Sequence, residues 1–371
     1  MGQRTGGPTV GLAMIVRNES STLPRLASTL ADQIDHWTVI DTGSTDNTVQ
    51  VAQEVFSYAP GHVIEDTWRG FGPSRNVAFE AAEPHTEWLL TLDADDTFHG
   101  AIVRSELDDL DVLHAEYRFA NLHYWVPRLV RSGQGWRWHG RAHEYLAAPG
   151  GPGRARRSHA FWVEHHADGG SRGDKFEREV RLLLEDWAEH SDDPRTAFYL
   201  GRSYDDTGAN EDAIVWYRRR LALGGWDEET FYARYRLGAC LLRTGRNEEG
   251  CGELWRAWGE RHWRAEPLTL LAEHYRGQGL WQLAWQACQL AFAHAGAKPD
   301  GGVVGTVDAL FVDAGALQWQ VAYEASIAAW YVGEIERGRR LVNYLLSRPE
   351  LPAAVREAAE GNRRFYQPAQ P

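Results

Sequence analysis

Between residues 10 and 99, three short apolar runs alternate with stretches of helical periodicity, and this alternation leaves few folds open. The runs are 10–16, 37–40 and 88–92, each short enough for a buried strand. After the first, Leu23, Leu26, Leu30 and Ile34 recur at helical spacing, with Ser20 or Ser21 as caps and Pro24 suited to a first turn. Asp46 is read as the N-cap of a helix over 47–56, and Ser74 as the cap of one over 75–82. Strands and helices in this order predict a parallel sheet with helices on its faces. Ligands of such sheets sit beyond the carboxyl ends of the strands. The second and third runs end on Asp41 and Asp93, so both acids are expected there.

The rest of the chain changes character twice. Residues 114–166 hold short aromatic, β-prone runs separated by glycines, which predict a smaller mixed sheet flanking the first. Residues 167–173 are polar and Gly-rich, either a lid that orders when a ligand binds or a plain linker. From Lys175 onward the pattern is helical, with a weak repeat of about 34 residues. Leu200-Gly201, Tyr204, Gly208, Ala213 and Tyr217 fit one unit. Leu237-Gly238, Gly245 and Leu254 fit a second, and Leu271-Ala272, Gly279 and Ala284 a third. Ser326, Gly333, Gly338 and Val342 suggest a degenerate fourth, after an insertion near 298–317. The expected division is an α/β domain over 1–173 and an all-α, tetratricopeptide-like domain over 174–371. A helical repeat brings no chemistry of its own, but it offers a concave surface for a peptide or for self-association as a homodimer.

Composition removes several classes. No run of 18 apolar residues occurs, so no membrane span is expected, and residues 1–9 lack the pattern of a secretory signal. Cys240, Cys251 and Cys288 form no CxxC pair and read as buried thiols of a cytoplasmic protein. The net charge of −13 disfavours a chain held on nucleic acid by phosphate contacts. The basic cluster Arg154-Ala155-Arg156-Arg157 is read as a solvated hairpin tip.

The densest chemistry is Asp93-Ala94-Asp95-Asp96. Carboxylates two apart after a strand face the same side. Three acids in four residues repel one another unless a cation shares the site, and oxygen ligands suit Mg²⁺ or Mn²⁺.

Four ordered motifs accompany that cluster: residues 14–19, 39–48, 72–76 and 88–96. Together they resemble the family 2 glycosyltransferases of the GT-A fold, a Rossmann-like nucleotide-diphospho-sugar transferase fold. Asp96 stands where the family often has Glu. With the helical repeats, the chain is similar to the S-glycosyltransferase type that modifies the peptide sublancin. The resemblance implies that Val16, Arg17, Glu19, Asp41, Arg75, Asn76, Asp93 and Ala94 contact a nucleotide-sugar donor. Asp41 would accept from the base, Arg75 would approach base or diphosphate, and Asp93 would meet the ribose or a metal-bound water. Asp95 of the DXD motif would ligate the metal, joined by His165, which is preferred over His166. Glu144 would be the catalytic base of an inverting hexosyl transfer. UDP is the favoured nucleotide and a peptide or protein the favoured acceptor, ahead of a glycan or modified phage DNA bases. The rival of another class is a non-catalytic repeat adaptor with a degenerate transferase domain. Trp68, Trp136 and Trp138 are candidates for stacking on a sugar or base.

Overall fold

The computed structural model describes residues 7–119, 122–169, 175–294, 310–313 and 315–366. Two compact units emerge, Met1–Asp186 and Trp187–Pro371.

The first unit begins as the apolar pattern requires. β1 (Val10–Val16) leads to α1 (Leu23–Leu30), β2 (His36–Asp41), α2 (Thr48–Val55), β3 (Gly61–Glu65), α3 (Phe71–Ala82) and β4 (Trp88–Leu90). Then follow β5 (Asp96–Gly100), β6 (Val112–Phe119), β7 (Leu122–Arg131), β8 (Arg137–His139), β9 (Tyr145–Ala147) and β10 (Ala155–His165). α4 (Lys175–Glu189) closes the unit. Eight strands form one sheet in the order β3-β2-β1-β4-β7-β6-β10-β5, and β8 pairs with β9 alone. β3, β2, β1 and β4 run parallel, and β7 joins β4 antiparallel.

β1 is apolar on both faces because helices cover both. Val10, Leu12, Met14 and Val16 pack in one core cluster with Leu23, Leu26 and Leu30 of α1. Ala13 faces the other cluster, with Ala78, Phe79 and Ala82 of α3. A strand buried on both faces reads as a continuous hydrophobic run rather than an alternation.

Three sequence expectations change. Of the strands of 114–166, only the short β8 and β9 make a separate sheet. β6, β7 and β10 extend the first one, because β7 finds β4 and β10 inserts between β6 and β5. α3 starts four residues earlier than its Ser74 cap implied. Ser74 is buried inside the helix, Pro73 occupies its first turn, and Gly70 at φ +106° starts it. Ser20 and Ser21 give way to Thr22 at the start of α1. Asp46 still serves α2 from one residue outside: its carboxylate accepts the Thr48 amide at 3.1 Å.

The second unit is a run of helix pairs. α5 (Pro194–Asp206) pairs with α6 (Asn210–Leu223), and α7 (Asp227–Arg243) with α8 (Asn247–Glu260). α9 (Glu266–Gly277) pairs with α10 (Trp281–His294), and α11 (Val321–Tyr331) with α12 (Ile335–Ser347), before α13 (Ala353–Arg363). Gly208, Gly245, Gly279 and Gly333 each turn a pair at φ between +72° and +80°. Gly201 and Gly238 do different work. A Cβ on either would lie 2.7 Å from Tyr217 or Leu254 of the partner helix, so the small residue sets the close approach. Cys240 and Cys288 are buried and Cys251 is half-buried, all as free thiols. Most of the expected insertion at 298–317 lies outside the described residues, as do 170–173 of the Gly-rich segment. Among the described residues no helix is long and apolar enough to cross a membrane.

One buried group in the sheet has a consequence for stability. His36 on β2 stacks on His85 at 4.3 Å between ring centroids and meets His62 edge-on at 5.7 Å. Burial, then the charges of His85 and His62, pushes its imidazole down to about 4 from an ordinary 6.5. The unfolded chain therefore binds this proton first as the pH falls. The contribution is complete above about 6.5 and is lost toward about 4. His36→Phe keeps a ring in the stack and removes the titration. It should abolish on the order of 2 kcal/mol of the stability lost between about pH 7 and about pH 4.5, read by urea unfolding. Parallel pH profiles for the two proteins would refute this assignment.

Candidate active site

The carboxyl ends of β1 and β4, the loop 140–144 and α4 enclose a cleft of ≈ 400 Å³. α3 is positioned against that loop by its own N-terminus. The amides of Phe71 and Gly72 donate to the carbonyls of Arg141 and Gly140 at 2.8 and 3.2 Å. Only glycine fits at 72, where a Cβ would lie 2.3 Å from the Gly140 carbonyl oxygen. The loop is held from its other side by Asp186, which accepts from the Arg141 amide at 2.6 Å and its guanidinium at 2.7 Å.

That docking carries Arg75 to the centre of the site. Its Nη2 donates to Asp93 Oδ1 at 2.5 Å, and its Nε donates to Glu144 Oε1 at 3.0 Å. The side chain is 8% exposed and its charge lies over the Trp138 ring at 5.2 Å. Burial alone would push the Asp93 carboxyl up. Arg75, then Arg128 at 4.0 Å, outweigh it and hold the group well below the ordinary carboxylate range. Glu144 Oε2 makes no hydrogen bond among the described residues.

The three acids of the cluster occupy different surroundings. Asp96 is fully buried and accepts from the Asp93 amide at 2.8 Å, from Tyr117 Oη at 2.7 Å and at His165 Nδ1 at 2.9 Å. Burial pushes its pKa up despite those partners. Asp95 lines the cleft and, among the described residues, has no guanidinium on its carboxylate; its Oδ2 accepts the Gly169 amide at 3.2 Å, and Oδ1 lies 3.6 Å from His165 Nδ1. A strap holds Gly169 there: Arg25 grips Asp168 at 2.7 and 2.8 Å and donates to the Asp95 carbonyl at 3.1 Å. Burial lowers the His165 imidazole, but Asp96, then Asp95 and Asp93, more than reverse it and raise the pKa above the ordinary value.

The cleft wall includes Val16, Arg17, Glu19, Arg75, Asp93, Ala94, Asp95, Glu144 and His165 from the sequence-derived set. Two others of that set are absent from it. Asn76 commits both ends of its amide to the Trp138 backbone, at 2.9 and 2.8 Å, and so clamps α3 to β8. Asp41 is buried behind the wall, where its carboxylate accepts from the hydroxyl and amide of Ser44 and shapes the turn after β2. His166 bonds Thr97 Oγ1 at 2.9 Å rather than facing the cleft. Of the three tryptophans, Trp68 lines the cleft, edge-on to Phe71 at 4.9 Å, whereas Trp136 and Trp138 are core residues. Sequence reasoning missed the cleft-lining α4 residues Arg178, Glu179 and Leu182 and the supporting Tyr117 and Arg128, because strand and helix patterns hide which face a distant site uses.

The oxygen and imidazole donors at this corner are the set that hard and borderline divalent cations prefer. Asp93, Asp96 and His165 each offer a ligand atom within 4.8 Å of the others. Two of these are already satisfied, Asp93 by Arg75 and Asp96 by its buried bonds. Among the described residues, Asp95 has no guanidinium on its carboxylate, with the His165 ring, at 3.6 Å, as a charged neighbour.

Residues 12–116 match the family model described as Glycosyl transferase family 2. The chain thus carries a family 2 glycosyltransferase domain at its N-terminus, followed by tetratricopeptide-like helix pairs. A TPR repeat-containing protein of Synechococcus elongatus is 38% identical over 108 residues, 28% of this chain and 25% of that protein. The glycosyltransferase SunS of the SPbeta prophage in Bacillus subtilis is 23% identical over 240 residues, 59% of this chain and 54% of its own. This chain therefore spans a quarter to about half of the length of the curated relatives it matches. Among solved structures, S. aureus TarS shows 15% identity and a TM-score of 0.41, over 69% of this chain and 55% of that one.

Proposed function

We propose that this protein is an inverting, metal-dependent glycosyltransferase that moves a hexose from a nucleotide diphosphate sugar, UDP-sugar favoured, to a peptide or protein acceptor. The supporting observation is the convergence of Asp95, His165, Asp93, Arg75 and Glu144 on one cleft at the strand ends. Asp95 and His165 would hold Mn²⁺ or Mg²⁺. Such a cation, when bound, stabilises the charge that builds on a departing diphosphate.

The chain's own residues account for the other half of the reaction. Arg75 fixes Glu144 through Oε1, which leaves Oε2 to take the acceptor's proton as the nucleophile attacks the anomeric carbon. The bond from that carbon to the diphosphate oxygen breaks as the new one forms. Ala94, with one methyl group at the wall, admits close approach of the donor, and Trp68 offers a ring face or edge for a sugar or base. The helix pairs would hold the acceptor or join two copies as a homodimer.

A thermal-shift panel of UDP, GDP, CDP and dTDP with Mn²⁺ tests the donor side. The largest shift is expected with UDP, together with Mn²⁺-dependent release of sugar from UDP-hexose. No shift and no release with any nucleotide or metal would overturn the enzyme reading.

A further inference from the structure

The geometry points to Asp96 as a positioning residue for His165: it accepts the Nδ1 proton of the ring, with Tyr117 as its brace, and so reserves Nε2 as the lone pair that faces the cleft ligand. The inference rests on the proposed metal reading for what Nε2 binds, but not for the state of the ring itself.

The pairing follows from the sheet. β10 and β5 run antiparallel with His165 directly opposite Asp96, so the two side chains share a face. His165 Nδ1 lies 2.9 Å from Asp96 Oδ1. The same oxygen accepts from Tyr117 Oη at 2.7 Å. Asp96 Oδ2 accepts the Asp93 amide at 2.8 Å. Asp96 is therefore anchored from three sides and has no surface of its own. Tyr117 is fixed in turn: it is 3% exposed, and the Arg128 guanidinium lies over its ring at 4.6 Å.

A carboxylate so placed is an acceptor, so the ring atom facing it must be the protonated one. Nε2 makes no hydrogen bond among the described residues, and His165 lines the cleft. Histidines that ligate metals commonly donate the other ring N–H to a carboxylate, which fixes tautomer and orientation. The competing arrangement makes Asp93, Asp96 and His165 Nδ1 a ligand trio. It would require Asp96 to abandon its buried partners and would set a cation against Asp93, which already pairs with Arg75 and lies near Arg128.

The test uses the full chain, ¹⁵N-labelled at histidine, without metal, and at a pH where the ring is neutral. His165 is assigned by loss of its signal in His165→Gln. Long-range ¹H–¹⁵N correlations should show the Nδ1–H tautomer, the less common form of a free histidine side chain. Asp96→Asn should shift the ring toward Nε2–H and weaken Mn²⁺ binding, measured by calorimetry, by about 10- to 100-fold. Tyr117→Phe, which keeps the ring and removes the brace, should weaken it less, and it stands in if Asp96→Asn does not fold. An Nε2–H tautomer in the wild-type protein would overturn the inference. So would unchanged Mn²⁺ affinity in a folded Asp96→Asn protein. The tautomer readout needs no nucleotide, sugar or metal, so it stands even if the transferase reading fails.

Discussion

Asp95→Ala is expected to lower sugar release from the donor by about 10²- to 10³-fold, with the melting temperature almost unchanged. The asymmetry comes from how the three acids are held. Asp95 faces the cleft, and the bond its carboxylate accepts is from the Gly169 amide at 3.2 Å. Its removal leaves no buried cation unpaired. Asp93 and Asp96 are different, since each anchors a network inside the protein. Alanine at either should cost activity and stability together. Steady-state kinetics at saturating Mn²⁺ alongside calorimetric melting separates the two patterns. An Asp95→Ala protein that retains wild-type turnover, or that melts as early as Asp96→Ala, would contradict the assignment of the cleft-facing acid.

The contrast marks where sequence patterns carry structural information. β1, β2 and β4 were legible because strands buried on two faces leave uninterrupted apolar runs. The helix pairs were legible because Gly208, Gly245, Gly279 and Gly333 punctuate them at regular intervals. β3 was not, since none of its residues is fully buried and no apolar run survives. Nor was the joining of β6, β7 and β10 to the first sheet. Whether β10 joins β6 and β5 or stands apart depends on long-range pairing that no local pattern encodes.

The site divides the same way. Residues whose side chains line the cleft from motif positions, such as Arg75 and Asp95, follow from motif order, and Glu144 from the wider resemblance. Asp41 and Asn76 sit in equally recognisable motifs, yet their hydrogen-bonding capacity goes to the Ser44 turn and the Trp138 backbone. Those commitments depend on three-dimensional neighbours. Tyr117 and Arg128 support the acids from strands whose sequence shows only alternation and aromatic content.

Arg75→Met should be the most damaging single change to the folded unit, costing about 3–5 kcal/mol near neutral pH and abolishing measurable turnover. Its guanidinium is the buried cation that joins Asp93 to Glu144. Methionine fills part of the volume beside Trp138 but takes away the guanidinium that both carboxylates share, and leaves Arg128, 4.0 Å from Asp93, and the His165 ring as the remaining positive groups acting on Asp93. The sign of the pH effect identifies the cause. In the wild-type protein burial raises the Asp93 carboxyl, but Arg75 and then Arg128 overcome this and depress it below the ordinary 3.8. Its stabilising contribution is therefore present above that value and lost as the pH falls through the depressed one. Without Arg75 the carboxylates become proton acceptors, and protonation removes the charge that the guanidinium balanced. The difference in stability between wild type and Arg75→Met should then shrink steadily as the pH is lowered toward about 4. Urea unfolding across that range reads it directly. A difference constant with pH would mean that lost packing on Trp138, not the ion pairs, dominates. Arg75→Lys should recover little, because one ammonium cannot reproduce the two-sided fork that reaches Asp93 through Nη2 and Glu144 through Nε.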